Sequence, residues 1–217
     1  MARLAGSGRA DRAAGAERLI AARVPPVGRA VPRRFGRLTR GLGALGLGAA
    51  GWRFEGALPD LPRFVVAIAP HTSNWDFPVG VGVMLALGIR VRWLGKHSLF
   101  RGPAGTLLRW LGGIPVRRGE RSGAVDAAVA AFRAHPQLVL ALAPEGTRTR
   151  VATWKTGFYA VAEQAGVPIV PVWFDWSRRV VGFGAPVAPH GAEATIRALM
   201  ALYRPAMARR PEAFWSG

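Results

Sequence analysis

Phe64-Val65-Val66-Ala67-Ile68-Ala69-Pro70-His71-Thr72-Ser73-Asn74-Trp75-Asp76 joins an unbroken apolar run to a polar turn that carries a histidine and an aspartate. Phe64–Ala69 is a short apolar run typical of a buried strand, and Pro70 ends it. Beyond Asp76, Phe77–Leu87 reads as a helix. Working outward, the same alternation recurs. Ile89–Leu94 reads as a strand, Gly102–Leu111 as a short helix, Ile114–Arg117 as a strand entering a turn at Gly119, and Ser122–Ala134 as a helix capped by Ser122. Leu138–Ala143 is another buried strand, and Thr156–Gln164 a helix stopped near Gly166. Val167–Phe174 is strand-like, with Pro168 and Pro171 placing it at an edge or a start. Glu193–Ala208 closes the chain as a helix. Strands alternating with helices predict a single α/β domain with a mixed, largely parallel sheet flanked by helices.

The 217 residues suffice for one domain with a real core, and half of them are hydrophobic. No cysteine is present, which excludes disulfides, thiolate nucleophiles and Cys-ligated zinc. The formal charge of +18 points to an anionic partner: nucleic acid, an anionic lipid surface, or an acidic substrate or carrier. Nearly all of the basic residues are Arg, with Lys only at Lys96 and Lys155, a bias that a GC-rich genome also yields. Residues 1–40 hold ten arginines against Asp11 and Glu17, and prolines 25, 26 and 32 interrupt any helix except one over Ala10–Ala22. They read as a flexible basic segment. Residues 41–62 follow as a short apolar, membrane-associating stretch and linker, and 63–210 as the main domain. No apolar run reaches the ~18 residues of a membrane span.

Gly41-Leu42-Gly43-Ala44-Leu45-Gly46 matches the glycine pattern of dinucleotide sites. It follows an Arg-rich segment rather than a strand, with no ribose-binding acid at the right distance, and in a chain with 28 glycines such a match is cheap.

His71 and Asp76 carry more. Five residues apart on one helix, their side chains would point about 140° away from each other. They meet if His71 lies in the loop and Asp76 in the first helical turn, with Ser73 or Asn74 as N-cap. An Asp holding one imidazole nitrogen leaves the other free to accept a proton. A loop histidine beside a helix cap has the same spacing. After Leu138–Ala143 comes Pro144-Glu145-Gly146-Thr147-Arg148. Loops at the carboxyl ends of strands in an open α/β sheet converge on one crevice, so this loop can face His71. Gly146 allows close backbone approach, Arg148 offers a fork for phosphate, and Glu145 could brace Arg148 or the substrate. An ordinary turn with a surface ion pair reads the same way in isolation. Between the two loops, arginines from Arg90 to Arg121 interleave with Trp93, Leu107, Leu108, Trp110 and Leu111. That pattern suits a face in a lipid interface, or core residues with solvated charges.

These residues together resemble the 1-acylglycerol-3-phosphate (lysophosphatidate) acyltransferase family. His71–Asp76 (HTSNWD) looks like its H-x4-D motif, and Ala143–Thr149 (APEGTRT) is similar to its F-P-E-G-T-R-S block. Ile114–Arg118 (IPVRR) resembles its I-F-I-D-R block, and Val167–Val172 (VPIVPV) its fourth block. All four occur in order, between about Pro62 and Val172.

The resemblance implies that His71 deprotonates an acceptor hydroxyl while Asp76 orients it. It also implies that Arg118 and Arg148 bind the acceptor phosphate, and that Glu145, Gly146 and Thr147 shape the site. It further implies acyl transfer from acyl-CoA or acyl carrier protein to a lysophospholipid, in phospholipid biosynthesis. Peripheral or monotopic attachment to the cytoplasmic face of an anionic membrane comes with it. It implies no metal, no bound cofactor and no nucleic acid. Three positions depart from the pattern: Arg117 replaces an Asp, Pro115 an aromatic, and Ala143 a Phe. These leave other polar-lipid acceptors open. A rival reading, from charge alone, is a basic nucleic-acid-binding protein.

Overall fold

The computed structural model describes residues 22–116 and 121–215. Its elements run α1 (Arg37–Ala49), β1 (Arg53–Glu55), β2 (Arg63–Ile68), α2 (Asp76–Leu87), β3 (Arg92–Lys96), α3 (Gly102–Trp110), β4 (Gly113–Val116), α4 (Arg121–Ala134), β5 (Leu138–Leu142), α5 (Gly157–Ala165), β6 (Ile169–Asp175), β7 (Val180–Phe183) and α6 (Ala192–Met200). One seven-stranded sheet has the order β1-β7-β6-β2-β5-β3-β4. Strands β6, β2, β5, β3 and β4 are parallel, while β7 pairs antiparallel to β6 and carries β1 parallel to itself. The sheet is therefore mixed and largely parallel, in a single α/β domain, as the alternation of elements predicts.

Period-two alternation sorts each central strand between two cores. Phe64 and Val66 of β2, Val139 and Ala141 of β5, and Val170 and Val172 of β6 face one side, where α1 and α2 cover them. Val65, Ala67, Leu138, Leu140 and Ile169 face the other, under α4, α5 and the C-terminal segment. Because β2 is buried on both faces, its side chains are apolar throughout from Phe64 to Ile68.

The chain departs from the sequence reading at several places. Residues 22–40 are not a solvated tail. Val31 is 1 % exposed in the core. Up to α1, residues 22–36 run without a helix: the Arg90 N–H donates to the Pro32 carbonyl at 2.8 Å, and the Arg34 N–H to that of Gly88 at 3.1 Å. The prolines that forbid a helix are compatible with this path. The rest of the 1–40 segment, including nearly all of Ala10–Ala22, lies outside the described residues. The expected strand at Ile89 begins only at Arg92, because Ile89 is taken by an isolated bridge to Arg33. Strand β6 is interior, not an edge. Pro168 precedes it, and Pro171 turns its carbonyl to the Gly184 N–H, so its missing donor points toward β7, whose ladder begins only at Val172. Helix α6 ends at Met200 rather than 208, and Pro205 opens a separate 3-10 turn, Pro205–Met207.

The glycine pattern at 41–46 lies inside helix α1, with no strand before it. Gly43 has a packing task there: a Cβ on it would sit 2.5 Å from the Ala86 nitrogen. Its absence lets α1 cross α2 closely.

Candidate active site

Parallel strands β2 and β5 are neighbours in register, Ala67 opposite Leu142, so the loops that leave their carboxyl ends emerge side by side. The first loop carries His71 and delivers the chain into α2. No side chain caps that helix, and its N-cap position is Trp75 rather than Ser73 or Asn74. The loop closes on itself instead. The Ser73 N–H donates to Asp76 Oδ2 at 3.0 Å, and Ser73 Oγ accepts from the Trp75 N–H at 3.2 Å. This turn lifts His71 off the helix and over Asp76, and His71 Nδ1 lies 3.0 Å from Asp76 Oδ2. Asp76 is 3 % exposed, in the first turn of α2, where the helix dipole favours its negative charge. With Nδ1 committed to a buried carboxylate, Nε2 of a partly exposed imidazole is the nitrogen left to exchange a proton.

The second loop reaches back to the first. Glu145 Oε2 accepts the His71 backbone N–H at 2.7 Å, so Glu145 braces the histidine loop, whereas the sequence left it between Arg148 and substrate. Its other oxygen, Oε1, is buried with no partner. Burial pushes the Glu145 carboxyl up to about 8, and the Asp76 charge adds to that rise, while the His71 N–H opposes it. The neutral acid is the form that suits an unpartnered buried oxygen. Gly146 has φ +63, a conformation that favours glycine, and the Lys155 side chain folds over it, with Nζ 2.7 Å from where a Cβ would stand. Thr147 Oγ1 lies 3.1 Å from Thr149 Oγ1, closing the loop tip. The Arg148 side chain is exposed. Arg118, the other expected phosphate ligand, lies outside the described residues, as does Arg117.

His71, Asp76, Gly146, Thr147 and Arg148 line a cleft of ≈ 430 Å³. Its remaining walls are mostly apolar and run along the sheet from Ala143 past Ala141 to Val139, roofed by Phe77, Val81, Met84 and Leu87 of α2. A polar end with an oriented imidazole therefore continues into a long hydrocarbon-lined trough, which is the shape of a site for an amphiphile. The chain has no Cys, and Thr147 is the one hydroxyl-bearing residue on the cleft wall among the described residues. Among those residues, no three His, Asp or Glu side chains lie close enough together to hold a metal ion.

Three participants escaped the sequence reading. The Trp176 Nε1–H donates to Asp76 Oδ1 at 2.8 Å. The Arg210 Nε–H donates to the Thr72 carbonyl at 2.8 Å and its Nη2 to the Arg148 carbonyl at 3.1 Å, tying the two loops together. The Arg209 guanidinium lies 4.5 Å from the Trp176 ring centroid and 5.2 Å from that of Trp75. All three come from segments distant in sequence, and no local spacing marks them.

Fold and site together define an α/β protein with an oriented His–Asp pair at the carboxyl ends of its parallel strands. Its sequence matches the acyltransferase family over residues 57–175, more than half of its length, and the chain belongs to that family. It is 33 % identical over 114 residues to the 1-acyl-sn-glycerol-3-phosphate acyltransferase of Salmonella typhimurium, covering 49 % of this chain and 45 % of that protein. The enzyme of the same name from Escherichia coli K12 is 32 % identical over the same length and coverage. The aligned stretch thus spans about half the length of these curated relatives. The crystal structure of the 1-acyl-sn-glycerophosphate (LPA) acyltransferase PlsC from Thermotoga maritima matches with a TM-score of 0.55. It is 20 % identical and covers 76 % of this chain and 78 % of that one, a likeness of fold.

Proposed function

We propose that this chain transfers a fatty acyl group from a thioester, acyl-CoA or acyl carrier protein, to the hydroxyl of a lysophospholipid such as 1-acylglycerol-3-phosphate. The observation that carries the reading is the His71–Asp76 pair, 3.0 Å apart, at the head of an apolar trough. His71 Nε2 takes the proton of the acceptor hydroxyl as its oxygen attacks the thioester carbonyl. The tetrahedral adduct then collapses with cleavage of the C–S bond, and the imidazolium returns the proton to the departing thiolate. The products are an ester and a free thiol. Acyl transfer on this route needs neither an enzyme nucleophile nor a metal or resident cofactor.

Arg148 at the cleft, joined by Arg118, holds the acceptor phosphate, and Thr147 and Gly146 shape its seat. The trough takes the hydrocarbon. Departures at Arg117, Pro115 and Ala143 bear on the acceptor rather than on the transfer chemistry, so another polar lipid is the alternative.

A membrane is the source of such substrates. Among the described residues, no helix is long and apolar enough to cross one. Leu38, Leu42 and Leu45 stand exposed on α1, and Leu107 and Trp110 on α3. The Arg34 guanidinium lies 5.0 Å from the Trp110 ring centroid. Apolar and cationic groups so mixed suit docking on an anionic surface, in the reading the cytoplasmic face. The test is mass spectrometry of a lysolipid panel incubated with the chain and each class of thioester. A new ester from lysophosphatidate supports the reading, a product from another acceptor alone reassigns it, and no ester from any pair sinks it.

A further inference from the structure

The acyl-transfer reading leaves one hydrogen bond of the site without a task. We propose that Trp176, in the turn after β6, is a positioning residue that fixes the Asp76 carboxylate so that its other oxygen meets His71. The proposal rests on the acyltransferase reading for its kinetic consequence, though not for its geometry.

Asp76 has two oxygens and three donors. Oδ2 takes the Ser73 N–H and faces His71 Nδ1, while Oδ1 takes the Trp176 indole N–H at 2.8 Å. A carboxylate turns about its final side-chain torsion, and that torsion is broad. Ser73 alone holds one oxygen and leaves the plane free to rotate. A donor on the opposite oxygen fixes the plane, and with it the direction of the bond to His71.

The indole is itself held on several sides. The Trp176 backbone N–H donates to the Met207 carbonyl at 3.0 Å. Its ring meets the Trp52 ring edge-on at a centroid distance of 4.9 Å. Arg209 covers it at 4.5 Å. Trp52 is buried, so the donor is anchored to the core rather than to a mobile loop. Three segments distant in sequence therefore converge to aim one N–H at one oxygen, beyond what packing an aromatic ring would require.

Two replacements in the full chain separate the N–H from the ring. Trp176→Phe removes the donor with part of the ring, and 3-benzothienylalanine at position 176 removes it while keeping the shape. Turnover is followed with lysophosphatidate and acyl-CoA. In parallel, the downfield proton resonance of the His71 Nδ1–H···Asp76 bond is recorded on ligand-free protein. We expect kcat to fall about 10-fold or more in both variants, the scale of a lost hydrogen bond to a charged group. KM should stay within about twofold. The resonance seen in the wild type should shift or broaden in the benzothienyl variant.

An unchanged kcat in an active enzyme, a loss confined to KM, or an unaltered resonance each overturns the proposal. If Trp176→Phe fails to fold, the isosteric variant decides. If the wild type turns over no lysolipid, the acyltransferase reading fails, and the resonance alone settles whether Trp176 positions the pair.

Discussion

Replacing Glu145 with Gln fixes position 145 in its neutral form, and this should change how stability depends on pH. The carboxyl is buried against the histidine loop, and its pKa is raised from an ordinary 4.5 to about 8. Below about pH 4 both the folded and unfolded chains carry the proton, and this group's contribution to stability is fully present. Between those values the folded chain holds a proton that the unfolded chain has released. Stability therefore falls as pH rises, by about 1.4 kcal/mol per unit when fully developed, and the loss is complete above the folded value. From pH 5 to pH 8 the wild type should lose roughly 3–4 kcal/mol more than Glu145→Gln. The amide oxygen of Gln keeps the acceptor for the His71 N–H, found at 2.7 Å in the wild type, so the comparison isolates the proton. Urea unfolding at pH 5, 6, 7 and 8 measures both proteins. Parallel stability profiles would mean that Glu145 ionises in the folded chain as it does in the unfolded one, against the burial seen at the histidine loop.

Asp76→Asn presents an amide N–H where His71 Nδ1 and two other donors need acceptors, which favours the tautomer that protonates Nε2. Turnover should fall about 10²- to 10⁴-fold, with KM far less affected, as steady-state kinetics will show. Gly146→Ala places a Cβ 2.7 Å from Lys155 Nζ at φ +63, and thermal unfolding should report a loss of about 1–2 kcal/mol. Leu42→Glu with Leu45→Glu puts two acids on the exposed face of α1 and should weaken flotation with anionic vesicles severalfold while the melting temperature holds. Unchanged flotation would remove α1 from the docking surface.

Legibility followed locality. Phe64–Ala69 and Leu138–Ala143 announced themselves because strands buried on both faces are apolar at every position, and the loops after them carried His71, Asp76 and Glu145 within a few residues. Parallel pairing of two such strands then places their exits together, so the meeting of the loops was foreseeable from topology. What Glu145 does there was not, because its partner is a backbone N–H 74 positions away. Trp176 and Arg210 reach the site across 100 and 138 positions, with no period or motif to mark them. Strands β1 and β7, three and four residues long, were not read from the sequence. Val31 sits among arginines and prolines, where composition says solvent, yet it is seated in the core, and Val24, Val27 and Phe35 of the same segment pack against that core.

On the proposed route His71 Nε2 removes the proton of the acceptor hydroxyl. This step is tested most directly by comparing ester formation by wild-type protein and His71→Ala on vesicles containing lysophosphatidate and an acyl thioester, with circular dichroism confirming that both are folded. A loss of about 10²-fold or more is expected in the variant. Wild-type turnover by folded His71→Ala would contradict it.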